Sequence, residues 1–103
     1  MTISPKGLIY TDYDQMFADP AVEGVYISLP NAFHLPVAIK AMKAGKHVLC
    51  EKPLGMNAAE VREAIDVSEK MGVLFVEASW NRWHPRTQRV HEIVRCGKLG
   101  AIK

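Results

Sequence analysis

The stretch Val25–Gly55, VYISLPNAFHLPVAIKAMKAGKHVLCEKPLG, decides the fold. It opens on an apolar run, Val25-Tyr26-Ile27-Ser28-Leu29, stopped by Pro30-Asn31. From Leu35 to Ala44 the residues Leu35, Ala38, Ile39 and Met42 recur at the i, i+3, i+4, i+7 spacing of one helix face. Pro36 falls in the first turn, where its missing N–H costs nothing, and Gly45 supplies the left-handed cap. Lys40, Lys43 and Lys46 take the solvent side and the last turn, where cations suit the helix dipole. A second run, His47-Val48-Leu49-Cys50, then ends in Glu51-Lys52-Pro53. Two β-rich runs joined by an amphipathic helix form a βαβ unit, whose strands lie parallel. Open parallel sheets bind ligands beyond the carboxyl ends of their strands, so Pro30-Asn31 and Glu51-Lys52-Pro53 should share one rim. The near-continuous apolarity of Val25–Leu29 predicts a strand covered on both faces, with Tyr26 and Ser28 toward the more polar side.

Working outward, Met1 to Leu8 gives no periodic signal and reads as a loop. Ile9-Tyr10-Thr11 is long enough only for a short strand. Asp12 with Gln15 three residues on resembles a capping box, opening a helix over Tyr13–Ala18 that buries Met16 and Phe17. Asp19-Pro20 stops it. Downstream, Asn57-Ala58-Ala59-Glu60 is another N-cap signature, for a helix to Met71 that buries Val61, Ala64, Ile65 and Met71, with Gly72 as its cap. Val73–Ala78 reads as a third strand of the same sheet. Arg82 and Trp83 follow it, again at a carboxyl end. Pro85 opens a last helix over Arg86–Cys96, with Val90, Ile93 and Val94 inward and Gly97 at its end. Leu99–Lys103 has the character of a further strand.

The 103 residues suit one domain, and 49% hydrophobic content excludes disorder. The 13 basic and 11 acidic residues are interspersed, with no basic run and no nucleic-acid motif, so charge names no partner. No apolar stretch approaches the roughly 20 residues that span a bilayer, and no signal peptide opens the chain. Two cysteines, Cys50 and Cys96, are too few for a disulfide framework, and reduced thiols in a cytoplasmic protein are expected. A zinc site from His47, Cys50, His91 and Cys96 is disfavoured. His47 and Cys50 point to opposite faces of a strand, and positions five apart on a helix do not converge. No Gly-x-Gly-x-x-Gly turn, the cradle of a dinucleotide pyrophosphate, occurs.

LPNAFH followed by AGKHVLCEKPL resembles the Gfo/Idh/MocA family of NAD(P)-dependent oxidoreductases. The later EASWNRWHP is most similar to the branch containing dihydrodiol and aldose dehydrogenases. The resemblance runs from about Tyr10 to Lys103. It implies a partial Rossmann-like, doubly wound α/β fold: a parallel sheet with helices on its faces, spanning 1–103 as the later part of an NAD(P)-binding domain. Both the glycine turn and the C-terminal sheet domain of the family lack a counterpart, so the chain reads as a fragment.

The same resemblance implies the site. Lys52 would be catalytic, its ammonium touching the carbinol or carbonyl oxygen as hydride moves between NAD or NADP and a sugar-like or diol substrate. Partial burial would favour proton exchange at that amine. Glu51 would contact the nicotinamide ribose or amide, and Pro53 would fix the turn presenting Lys52, with a cis Lys52–Pro53 bond. Pro30, Asn31 and His34 would line the nicotinamide side, and Arg82 and Trp83 would lie near the cofactor. Read from the residues alone, Asn31 could equally cap the helix, His34 could be solvated, and Lys52 could be an ordinary strand-end charge. Two readings stay open: a segment of a dehydrogenase, inactive alone, and a non-catalytic module that associates with itself through the exposed edge of Val25–Leu29. Either way a homo-oligomer is expected.

Overall fold

The structure is a computed structural model that describes residues 7–101. Three strands form one sheet in the order β1-β2-β3: β1 is Gly24–Ile27, β2 is His47–Cys50 and β3 is Phe75–Glu77. Both pairs are parallel, with Tyr26 opposite Leu49 and Leu49 opposite Val76. Helix α2, His34–Lys43, crosses from β1 to β2, and α3, Ala58–Met71, crosses from β2 to β3. Helix α1, Tyr13–Ala18, precedes β1, and α4, Pro85–Arg95, follows β3. Single 3₁₀ turns, Asn31–Phe33 and Trp80–Trp83, lead into α2 and α4. The α/β layout expected from Val25–Gly55 is present.

The helix ends are where the capping residues put them. Asn57 Oδ1 accepts from the N–H groups of Ala59 and Glu60, each at 3.0 Å, and Gly72 closes α3 at φ 64°. Asp12 caps α1 by accepting from Asp14 N at 3.0 Å; Gln15 makes no return bond among the described residues, so only half of the expected box forms. Gly45, at φ 78°, turns the chain out of α2 into β2.

One face of the sheet carries the core. Ile27, Val48 and Cys50 pack with Leu35, Ala38, Ala41 and Met42 of α2, with Ala64 of α3 and with Phe17 of α1. The other face is open. Tyr26, Leu49 and Val76, side by side in register, are 58%, 43% and 38% exposed. The expected covering of both faces is therefore corrected: β2 alternates between exposed and buried side chains, as a half-covered strand must. An apolar residue in a strand reports that pairing is favourable there, not that a second layer arrives.

Other expectations fail for local reasons. Ile9–Thr11 forms no strand, because nothing offers it a ladder; Tyr10 instead donates its hydroxyl to Asp19. Lys46 is not on the solvent side. Past Gly45 the helical phase no longer applies, and its ammonium reaches the carbonyl of Asp19 at the end of α1, at 2.8 Å, leaving Lys46 8% exposed. In α3 the buried stripe is Ala64 and Ser68, with Val61 and Val67 half-buried, while Ile65 and Met71 point outward. Helix α4 fully buries no residue: Val90 and Val94 are exposed and Ile93 is half-buried, since α4 packs mainly on the turn that precedes it. A radius of gyration of 17.4 Å, against about 13 Å for a compact chain of this size, records the extended outline. Leu99–Ala101 is not a strand; Met1–Lys6 and Ile102–Lys103, which the first loop and the last expected strand also include, lie outside the described residues.

If the core lies only on the Val48–Cys50 face, Met42→Ala lowers the unfolding free energy by about 2–5 kcal/mol. Leu49→Ala on the open face changes it by only roughly 0.5 kcal/mol. Urea melts of the two variants separate these; equal losses mean the Leu49 face is covered.

Candidate functional site

Parallel pairing carries β1 and β2 to the same rim, and backbone bonds continue just past both ends. Glu51 N donates to Ile27 O at 2.9 Å, and Ala78 N donates to Cys50 O at 2.7 Å. The ladder stops at Ile27 rather than at Leu29, because Pro30 has no N–H to give and the Leu29 carbonyl is taken by a side chain. That side chain is His34. Its Nε2 lies 2.7 Å from Leu29 O and its Nδ1 lies 2.8 Å from Pro53 O. One ring thus joins the turn after β1 to the turn after β2. The Lys52–Pro53 bond is cis. Leu54 N donates to Glu77 Oε1 at 3.0 Å, which fastens the far side of the same turn to β3.

Glu51 stands on the open face of the sheet, two residues beyond Leu49. Its Oε1 accepts from the Tyr26 hydroxyl at 2.6 Å and its Oε2 from Lys52 N at 3.1 Å. The Tyr26 hydroxyl is the largest cause that holds the Glu51 carboxyl below the usual carboxylate range, followed by Lys52 N; the same contact pushes the Tyr26 phenol up. Glu51 therefore meets any ligand as a fixed anion. Lys52 projects from the rim and is exposed, so the partial burial expected for its amine is not supplied by the described residues.

The remaining candidates separate. His34 is 1% exposed, which removes the solvated alternative. Its two ring nitrogens face backbone carbonyls, so it braces the rim and offers a ligand no free polar atom. Asn31 is exposed in the 3₁₀ turn and does not cap α2, which has no side-chain cap. Pro30 precedes it, also exposed. Arg82 and Trp83 lie past the end of β3 and are exposed, but no hydrogen bond among the described residues ties them to Glu51 or Lys52. Trp83 instead borders a shallow apolar groove of about 480 Å³ over the open face, with Tyr26, Leu49 and Val76. Cys50 is fully buried, and burial pushes its thiol up to about 11, so it is not a nucleophile.

Two residues of this network were missed in the sequence, Tyr26 and Glu77. Tyr26 was legible: it pairs with Leu49, and Glu51 is the diagonal neighbour on the same face, within reach of a long side chain. Glu77 had no signal, because its role needs the position of the Lys52–Pro53 turn.

A parallel three-stranded sheet with polar turns at one rim, an acceptor at Glu51 and a donor at Lys52, has the layout of the strand-end ligand rim of an open α/β protein. The donor set fits the nicotinamide end of a dinucleotide: a fixed carboxylate for hydroxyls or an amide, beside an exposed ammonium for an oxygen. Comparison with known proteins takes this further. Residues 3–79 match the oxidoreductase family with an NAD-binding Rossmann fold, the Gfo/Idh/MocA family, and the chain belongs to it. It is 39% identical over 94 residues to the trans-1,2-dihydrobenzene-1,2-diol dehydrogenase of Mus musculus, covering 91% of this chain and 28% of that enzyme. It is 32% identical over 93 residues to the D-xylose 1-dehydrogenase (NADP(+)) of Hypocrea jecorina, covering 90% and 24%. Among solved structures it resembles a 3-ketoreductase from Actinomadura kijaniata in complex with TDP-benzene and NADP, at a TM-score of 0.76 and 30% identity, covering 84% of this chain and 27% of that one. The chain therefore spans less than a third of the length of the relatives it matches.

The Tyr26–Glu51 contact sets a pH dependence. A carboxyl lowered on folding contributes stability above its unfolded range and loses it as pH falls through the lowered value; a phenol raised on folding loses its contribution as pH rises past its unfolded value, 10.0. Tyr26→Phe should move the Glu51 titration, followed by carboxyl ¹³C shifts, upward toward that of an ordinary glutamate. An unmoved titration means the hydroxyl does not hold Glu51.

Proposed function

We propose that this chain is the nicotinamide-facing part of an NAD(P)-dependent dehydrogenase acting on a sugar or related diol, with Lys52 as its catalytic residue. The observation that carries the reading is the single rim on which the parallel sheet and His34 bring Asn31, Glu51 and Lys52 together. Bound NAD(P) supplies the hydride acceptor or donor. The chain's own residues do the rest. Glu51, fixed by Tyr26, orients the nicotinamide ribose or amide. The Lys52 ammonium holds the substrate oxygen and stabilises, or gives up a proton to, the charge that develops there. Asn31 and Pro30 would lie on the nicotinamide side, and Arg82 and Trp83, past the end of β3, would lie near the cofactor.

The relatives named for a diol and for xylose support the substrate class, and the NADP complex supports the cofactor. Cys50 and Cys96, both free, fit a cytoplasmic enzyme; no helix of the described residues is long and apolar enough to cross a membrane. The sequence has no Gly-x-Gly-x-x-Gly turn to cradle a pyrophosphate, so the rim residues alone would hold a dinucleotide less tightly than a site that has that cradle.

A second reading rests on a separate observation. Strand β1 is an edge of the sheet, and the face bearing Tyr26, Leu49 and Val76 is open. Such surfaces recruit other chains, and a self-associating, non-catalytic module is the alternative for the isolated chain.

Titration of the chain with NADPH, and separately NADH, followed by nicotinamide fluorescence, distinguishes the two. Saturable binding supports the dehydrogenase segment, and none supports the module. Light scattering should give a dimer or larger species; a clean monomer at high concentration removes self-association. In an active enzyme that carries this segment, Lys52→Ala should lower kcat by about 10²–10⁴-fold. Unchanged turnover would defeat the assignment of Lys52.

A further inference from the structure

Among the described residues, His34 is a buried titratable group with both ring nitrogens spoken for, and its partners are unusual. Leu29 O and Pro53 O are backbone carbonyls, which accept hydrogen bonds and cannot donate them. A neutral imidazole has one donor and one acceptor nitrogen. With carbonyl oxygens at 2.7 and 2.8 Å on its two sides, a neutral ring would set a nitrogen lone pair against a carbonyl lone pair at hydrogen-bond distance on one side. Only a ring with hydrogen on both nitrogens makes both bonds.

We propose that His34 is the positioning residue of the rim: an imidazolium that donates to Leu29 O and Pro53 O at once and so sets the turn bearing Lys52 against the turn bearing Asn31. The charge has a cost. At 1% exposure His34 is cut off from water, which disfavours a cation, and as the first residue of α2 it also meets the positive end of the helix dipole. It also has compensation. Two carbonyl dipoles point at the ring, and the nearby Glu51 carboxylate, held mainly by Tyr26 and Lys52 N, would favour a positive charge there. The lysines of α2, Lys40 and Lys43, stand toward the opposite end of the helix. What the held turn is for rests on the dehydrogenase reading; the double donation does not.

Two other histidines provide the control. His47 Nδ1 accepts from Leu74 N at 2.9 Å and His84 Nδ1 accepts from Arg86 N at 3.1 Å, so each must keep that nitrogen free of hydrogen. In the chain labelled with ¹⁵N-histidine at neutral pH, long-range ¹H–¹⁵N correlation should show both ring nitrogens of His34 protonated, and an unprotonated Nδ1 in His47 and His84. An unprotonated nitrogen in His34 overturns the proposal. The positioning role has its own readout in His34→Gln, which also assigns the signal. The amide resonances of Glu51, Lys52 and Leu54 should shift or broaden while those along Ala38–Lys43 stay in place. Unmoved rim amides overturn that role, and if the variant does not fold, the wild-type ring signals still decide the first point. Neither measurement uses a cofactor, so failure here is separate from failure of the dehydrogenase reading.

Discussion

Two strands that run the same way cannot be closed by a tight turn; something must carry the chain back the length of the sheet. Here α2 does so, and the consequence reaches every candidate residue. Because β1 and β2 point the same way, whatever follows each of them emerges at one rim. Strand β3, also parallel, adds Ala78 and the segment leading to Trp83 on the same side. Reverse one strand and Asn31 and Lys52 would sit at opposite ends of the layer. The packing of Leu35, Ala38 and Met42 against Val48 and Cys50 is what keeps α2 on its face and the strands in register.

From that constraint the site follows as a short chain of contacts. The carbonyl of Leu29 is withdrawn from the ladder and given to His34; His34 reaches Pro53; Leu54 is tied to Glu77. Tyr26 fixes Glu51 on the open face, and the Lys52 ammonium is exposed, with no hydrogen bond among the described residues. Fixed supports around one exposed ammonium suit a group that must meet a substrate oxygen. This connection between backbone geometry and proton handling underlies the proposed dehydrogenase chemistry, and it joins a family membership that the comparison shows to residues whose roles are proposals.

Much of this was legible in the sequence because the signals were local. Pro36, Gly45, Asn57 and Gly72 fix helix ends by backbone chemistry that needs no tertiary context, and the helix face Leu35–Ala38–Met42 is buried as its spacing requires. What failed depended on neighbours. Whether Leu49 and Val76 are covered, and whether Val90 and Val94 find a partner, cannot be read from periodicity, which reports an amphipathic element and not what meets it. His34 is the instructive case. Its place in Pro-Asn-x-x-His marked it as part of the site, yet its burial between two carbonyls is a matter of where two distant turns meet. Lys46 fails the same way, since its partner Asp19 lies 27 positions upstream.

The most direct test of the central claim, that one rim of a parallel layer holds the nicotinamide end of the cofactor, is an amide chemical-shift map of the ¹⁵N-labelled chain as NADPH is added. The account predicts a contiguous set of shifts at Asn31, Glu51, Lys52 and Leu54, extending toward Arg82. Shifts confined to α1 or α4, with the rim unmoved, would contradict it.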